Sequence, residues 1–408
     1  MYKRYLEARL NMALDASPIV LLSGARQTGK TTLMKQVAAL KKFNYITFDD
    51  MTLLAAAQRD PVGFIEHQPK PLIIDEVQRV AEVALPIKVD VDQRNVPGLY
   101  ALTGSANPLV MPKLNDSLAG RMIILNLWPL SRGEILGKKE TFLDHIFDAD
   151  WTPGSTEKWT RTEMLDAFII GGYPRMQTLS AVMRREWCNS HLMTILERDV
   201  QDIANITRIK ALPGLMQILA TRASNLLNVA DVGRLALIPY ATLSAYLSIL
   251  ESLFLIVRQP AWHINRSTRL VKMPKIYLAD TGILSYLLGV DQEMLSKNTL
   301  LVGQVLENFI VQEIRKQTTW SLRQVRLYHF RTHGGAEVDM VLEDASGKIV
   351  GIEVKSSSTV TSDAFRGLQV LEQEAGNLFV RGIVFYTGSS SAAFGKNLFA
   401  LPVSALWS

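Results

Sequence analysis

One cysteine, Cys188, stands in 408 residues. A lone thiol closes no internal disulfide and supplies no cysteine-rich zinc site. Disulfide scaffolds are thereby excluded, and a reducing compartment is expected. No run approaches the roughly 18 consecutive apolar residues that span a bilayer. The opening stretch MYKRYLEARLNMALD mixes both charge signs and lacks the apolar core of a secretory signal. The expectation is a cytoplasmic chain with no membrane partner. Excess charge is scarce as well: 44 Lys and Arg face 39 Asp and Glu, a net +5. Hydrophobic residues make up 48% and charged residues 20%, which excludes a disordered chain. No internal repeat or low-complexity tract is present, and the length predicts two to three domains.

What is present begins with short apolar runs. Residues 18–24, 45–48, 71–74, 99–102 and 122–125 read as strands, and Thr31 to about Lys42 reads as a helix. Strands separated by helical stretches predict a parallel α/β sheet, with functional groups where the strands end. After Pro129 the pattern turns helical, interrupted by Gly171-Gly172-Tyr173-Pro174. From Gly303 it changes again, to helix, three strands, helix, strand. The expected division is 1–133, 134–210, 211–275 and 276–408.

Residues 24–31 read Gly-Ala-Arg-Gln-Thr-Gly-Lys-Thr, between a strand and a helix. This is the spacing of a phosphate-binding loop. Gly24 and Gly29 let the backbone N–H groups of Ala25, Arg26, Gln27 and Thr28 curl around phosphates, and the helix beginning near Thr32 offers its positive end. Lys30 reaches the β- and γ-phosphates, and the Thr31 hydroxyl is a Mg²⁺ ligand. Leu72-Ile-Ile-Asp-Glu76 is an apolar strand ending in two acids. Asp75 suits the metal and Glu76 the polarisation of an attacking water. Thr103 and Ser105 end a further strand; one of them senses the γ-phosphate or holds the water, or the stretch is a plain turn. Arg121 precedes the fifth strand. It either reaches a neighbouring subunit's nucleotide or sits on a solvated helix end.

Further stretches are Ile73-Ile-Asp-Glu-Val-Gln78, Leu102-Thr-Gly-Ser-Ala106, Ser117-Leu-Ala-Gly-Arg121, Lys275-Ile-Tyr-Leu-Ala-Asp-Thr-Gly282 and Glu337-Val-Asp339 with Ile352-Glu-Val-Lys355. With these the first 130 or so residues resemble an AAA+ ATPase core. The whole chain resembles a bacterial and archaeal family of AAA-type ATPases with a C-terminal domain of unknown function. The resemblance implies ATP and Mg²⁺ as cofactors and a homo-oligomer. It also implies a sensor arginine in the helical lid, for which Arg175 and Arg198 are the candidates.

The small positive charge is concentrated. Residues 205–275 hold nine basic residues (Arg208, Lys210, Arg222, Arg234, Arg258, Arg266, Arg269, Lys272 and Lys275) against Asp231 and Glu251 alone. Val229–Leu235 and Ala241–Ser252 read as two helices around a tight turn, with Leu243, Tyr246, Leu247 and Leu250 on one face. Phe254–Val257 and Leu270–Met273 are expected to pair as a wing. The stretch resembles a winged helix-turn-helix, whose second helix enters the major groove. Its outward residues here are Thr242, Ser244 and Ser248, with the bases on the wing, a pattern that favours phosphate contact over base reading. Nucleic acid, DNA in particular, is one expected partner. A protein-contact module is the other reading.

In the C-terminal segment, strands 337–342 and 349–355 form a hairpin, and side chains alternate faces along each. Asp339, Glu353 and Lys355 therefore converge, with Glu307 supplied by the preceding helix. Three carboxylates make an oxygen site for Mg²⁺ or Mn²⁺, and a lysine beside it positions water or stabilises charge. The layout resembles the PD-(D/E)xK nucleases, with Val338 where the usual proline stands. His329 and His333 just upstream are read as structural. The expected output is Mg²⁺-dependent ATP hydrolysis coupled to nucleic-acid binding, with or without cleavage by Asp339, Glu353 and Lys355. An ATP-gated regulator or scaffold with an inactive nuclease-like domain is the alternative.

Overall fold

The computed structural model describes residues 1–107, 112–154, 157–203 and 209–407. The chain forms two compact units. The first comprises Met1–Leu130 with Leu192–Ile209 and Ser248–Leu255. The second comprises Ser131–His191, Lys210–Leu247 and Ile256–Ser408. The four expected segments do not coincide with these units, because two later stretches return to the first.

In the first unit, β1 (Ile19–Ser23), β2 (Asn44–Thr47), β3 (Leu72–Asp75), β4 (Tyr100–Gly104) and β5 (Met122–Asn126) form a parallel sheet in the order β2-β3-β4-β1-β5. Strands β1, β3 and β4 are buried at every position. Covered on both faces, such strands are continuous apolar runs, which is why they stand out in the sequence. Ile19, Leu21, Ile74 and Leu102 pack on one face with Val77, Ile87 and Leu114. Val20, Leu22, Ile73 and Ala101 pack on the other with Leu10, Leu33 and Met34. The order places β4 between β1 and β3. The C-terminal ends of the phosphate-loop strand and the acidic strand therefore flank that of β4.

In the second unit, β6 (Asn225–Leu226), β7 (Ile256–Gln259) and β8 (Lys275–Leu278) form a small sheet in the order β6-β8-β7. Helices Val229–Ala236 and Tyr240–Ser252 meet at 100°. Leu243, Tyr246, Leu247 and Leu250 are buried, as their spacing predicts. The expected wing is corrected. Leu270–Met273 is not a strand: it follows the short helix Arg266–Arg269, with Leu270 and Val271 exposed. The partner of β7 is β8, in a register pairing Gln259 with Lys275.

The C-terminal sheet has the order β13-β14-β12-β11-β10-β9. Its strands are β9 (Val325–Arg331), β10 (Glu337–Asp344), β11 (Ile349–Lys355), β12 (Phe379–Tyr386), β13 (Ala392–Ala393) and β14 (Leu398–Pro402). Helix Thr299–Gln317 precedes β9 and helix Arg366–Ala375 precedes β12, the predicted order. A register shift between Val338 and Val341 breaks the strict alternation of β10 against β9.

Two of the quoted stretches lock together structurally. The buried Asp280 carboxylate accepts from Gly282 N at 2.9 Å and Ile283 N at 3.1 Å, capping helix Thr281–Leu288. It also accepts from Gly172 N at 2.6 Å. A Cβ on Gly171 would lie 2.3 Å from the Asp280 Oδ1. No single helix among the described residues is long and apolar enough to cross a membrane.

Candidate functional site

Three backbone features shape the loop after β1. A Cβ on Gly24 would sit 2.2 Å from the Leu127 carbonyl oxygen, so only glycine lets the loop pass β5 this closely. Gln27 takes φ 63° and Gly29 φ 101°, and Gly29 opens the helix Lys30–Lys41. The loop is held from outside by Arg4, which donates to the Thr28 carbonyl at 2.6 Å and the Trp128 carbonyl at 2.7 Å. Lys30 is buried and folds back onto the loop, donating to the carbonyls of Gly24 at 2.8 Å and Ala25 at 3.0 Å. Burial lowers its pKa, against the pull of Glu76 and Asp75. A bound polyphosphate would supply direct counter-charge to this ammonium, whose hydrogen bonds here go to carbonyl oxygens.

The acids stand at the end of β3. Asp75 is buried and accepts three hydroxyl donors: Thr31 Oγ1 at 2.9 Å, Tyr45 OH at 2.7 Å, and Thr103 Oγ1. Thr31 and Asp75 are thus in contact, as a shared Mg²⁺ would require. Glu76 has φ 58°, a left-handed conformation that strains a residue with a Cβ, and its N–H donates to Thr103 Oγ1 at 3.0 Å. Its carboxylate accepts from Gln78 Nε2, which also donates to Ser105 Oγ at 3.0 Å. Thr103, Ser105, Asp75 and Glu76 therefore form one constellation with Thr31. Arg26 bonds Asp199 at 3.0 Å, a residue of the returning segment.

The C-terminal trio also assembles. The Asp339 Oδ2 accepts from Val354 N at 2.9 Å, and Lys355 Nζ lies 2.7 Å from Glu353 Oε1. Burial, and then the Asp339 charge, push the Glu353 carboxyl up to about 8. Burial and Asp339 push Glu307 up to about 8 as well. The expected metal set of Glu307, Asp339 and Glu353 is corrected by a residue that sequence reasoning had assigned to a basic surface. The Lys275 ammonium lies 3.0 Å from Glu307 Oε1, 2.7 Å from Glu337 Oε1 and 2.9 Å from Asp339 Oδ1. Burial opposes the lysine's charge, but Asp339, Glu307 and Glu337 outweigh it and raise its pKa well above the ordinary value. Among the described residues no group of three or more His, Cys, Asp and Glu is arranged to hold a metal ion.

With this geometry in view, comparison with known proteins is direct. Residues 16–136 match the family described as AAA domain. Residues 161–294 and 302–406 match two domains of unknown function, DUF8612 and DUF4143. The matches support an AAA-type P-loop ATPase. ATP binding and hydrolysis are the activity they support. An uncharacterized protein of Mycobacterium tuberculosis (strain ATCC 25618 / H37Rv) is 29% identical over 362 residues, 88% of this chain and 74% of the relative. An uncharacterized protein of Haemophilus influenzae is 21% identical over 303 residues, 67% of this chain and 70% of the relative. Among solved structures, the Walker-type ATPase PABY2304 of Pyrococcus abyssi shares 16% identity at a TM-score of 0.44, covering 70% of this chain and 96% of its own. The RuvB Holliday junction branch migration motor of Thermotoga maritima shares 19% at 0.30, covering 62% and 89%.

Other expected residues lie as follows. Arg121 is bonded to Asp92, Nη2 to Oδ2 at 2.9 Å. Arg198 is exposed in the first unit, and its neighbour Asp199 is the residue that meets the phosphate loop. Arg175 is exposed in the second unit. Four residues escaped sequence reasoning: Arg4, Gln78, Asp199 and Lys275. Gln78 carried a signal, two positions beyond Glu76, and Lys275 opened one of the quoted stretches, though neither had been given this role.

The basic segment is largely paired. Arg269 bonds Glu343 at 2.7 Å and lies over the rings of Tyr328 and Trp262. Arg222 and Arg234 both bond Asp231 at 2.7 Å. Lys272 donates to the Arg331 carbonyl at 3.2 Å. Arg208 lies outside the described residues.

Proposed function

We propose that this ATPase works with Mg²⁺ and that its nucleotide state controls a nucleic-acid contact, DNA in particular, made by the second unit. The observation that carries the hydrolytic part is the Asp75 carboxylate joined to Thr31 and Thr103, with Glu76 beside it. The loop amides and Lys30 bind the β- and γ-phosphates. Thr31 and Asp75 hold Mg²⁺, which when bound neutralises charge on the phosphate oxygens. Glu76 accepts a proton from the water that attacks the γ-phosphorus, and Ser105 with Gln78 orients that carboxylate. Arg121, released from Asp92, adds positive charge at the nucleotide of a neighbouring subunit in a homo-oligomer.

The nucleic-acid part is supported by the bent helix pair beside the small sheet and by the exposed Arg266. Its output is binding rather than cleavage, because the carboxylates of a nuclease-like site are already occupied by Lys275. Cleavage by Asp339, Glu353 and Lys355 is the second reading, favoured by their convergence.

The test measures ATP turnover and duplex-DNA affinity by fluorescence anisotropy, with and without ATP. Glu76→Gln should retain ATP binding while hydrolysis falls by about 10²–10⁴-fold. Lys30→Ala should bind DNA with an affinity that ATP no longer changes. A wild-type affinity indifferent to ATP overturns the coupling. Mn²⁺-dependent cutting lost in Lys355→Ala establishes the second reading.

A further inference from the structure

We propose that the Lys275 ammonium is the resident cation of the C-terminal acid cluster, standing where a divalent ion would stand, and that its removal turns the cluster into a divalent-cation site. The inference deepens the reading above, resting on the view that this domain binds rather than cuts.

Three carboxylates surround the ammonium: it donates to Glu307 Oε1 at 3.0 Å and Asp339 Oδ1 at 2.9 Å, and Glu337 Oε1 forms an ion pair with it at 2.7 Å. These carboxylates come from two elements, helix Thr299–Gln317 and β10, while the lysine comes from a third, β8. The lysine side chain is 2% exposed. Its place in β8 is fixed on both edges of the strand, by β6 and β7. The ammonium therefore has no solvated position to retreat to while its strand stays paired. Asp339 Oδ2 takes the Val354 amide, Tyr277 OH donates at 2.8 Å to the same Glu307 Oε1 that meets the lysine, and Glu353 Oε1 faces Lys355, while Glu353 Oε2 is buried without a partner. Four carboxylates thus surround two ammonium groups. A metal ion entering here would share its oxygens with this fixed positive charge, an arrangement that Coulomb repulsion disfavours. Removing the charge of Lys275 leaves hard oxygen ligands in excess, the donor set that Mn²⁺ and Mg²⁺ prefer. Access exists: Glu307 also lines a cleft of about 450 Å³ with Ser224, Asn225, Asn298 and Gln304.

The experiment counts Mn²⁺ bound to the nucleotide-free full-length chain by electron paramagnetic resonance. The wild type should show no Mn²⁺ site that Asp339→Asn removes. Lys275→Met should bind one additional Mn²⁺ per chain, lost again in Lys275→Met/Asp339→Asn. A wild-type site abolished by Asp339→Asn overturns the proposal, as does a folded Lys275→Met with no gain. Lys275→Gln takes the place of the Met variant should that fail to fold, and the wild-type comparison with Asp339→Asn decides independently of either. Loss of the ATP response in DNA binding would defeat the functional reading and leave these Mn²⁺ counts unchanged.

Discussion

His329 is buried on β9 with Nε2 3.0 Å from the Met273 carbonyl, which makes it a neutral ring donating through Nε2. Its other nitrogen is buried without a partner, so a second proton there would have nothing to bond. Burial lowers its pKa to about 4, with Lys275 and Lys272 adding to the effect and the Met273 carbonyl and Glu337 opposing it. The folded pKa lies below the unfolded 6.5, so between these values the unfolded chain binds the extra proton. The resulting stability is present above about pH 6.5 and lost as pH falls toward 4. A shift of this size is worth about 3 kcal/mol. The urea midpoint should therefore drop from pH 7 to pH 5, and His329→Asn should flatten that dependence. An equally steep dependence in the variant would assign it to other groups. Reading this histidine as structural needed only its apolar strand neighbours. Reading Lys275 as part of the acid cluster needed partners 32 to 64 positions away, which no local pattern supplies.

Elements were legible where burial is two-sided. Strands β1, β3 and β4 of the first sheet are apolar runs because both faces are covered, and their ends carry the glycines and acids that a phosphate site demands. The wing was misread because Leu270-Val-Lys-Met273 is a mostly apolar stretch of the same length. The true partner of β7 opens with a charged residue, Lys275, whose burial depends on distant carboxylates. Gly171 shows the reverse case, a motif visible in sequence whose role is structural. It takes φ 66° and ψ −159°, open essentially to glycine alone, and its missing Cβ makes room for Asp280. Gly171→Ala should destabilise the second unit by about 1–3 kcal/mol from backbone strain alone. Differential scanning calorimetry should show the loss, with ATP turnover per folded chain retained. An unchanged transition would mean that the junction relaxes without cost.

For the molecule as a whole, the question is how much of the basic segment can face a polyanion. Nine Lys and Arg in residues 205–275 suggest a strongly electrostatic binder. Folding consumes several of them. Lys275 neutralises the acid cluster, Arg269 is bonded to Glu343, and Arg222 and Arg234 share Asp231. Lys210, Arg266 and Lys272 are left for phosphate, with Arg208 outside the described residues. Each phosphate contact on duplex DNA contributes about −0.9 to the slope of log affinity against log salt. The segment should therefore give a slope of about −3, against about −8 if all nine made contact. Anisotropy titrations from low to moderate salt measure it directly. Arg266→Ala should make the slope shallower by about one unit, whereas Arg269→Ala should lower stability and leave the slope where it was. A slope near −8 would mean that the ion pairs open on binding. A slope near zero would remove nucleic acid as the partner and leave a protein contact as the use of this surface.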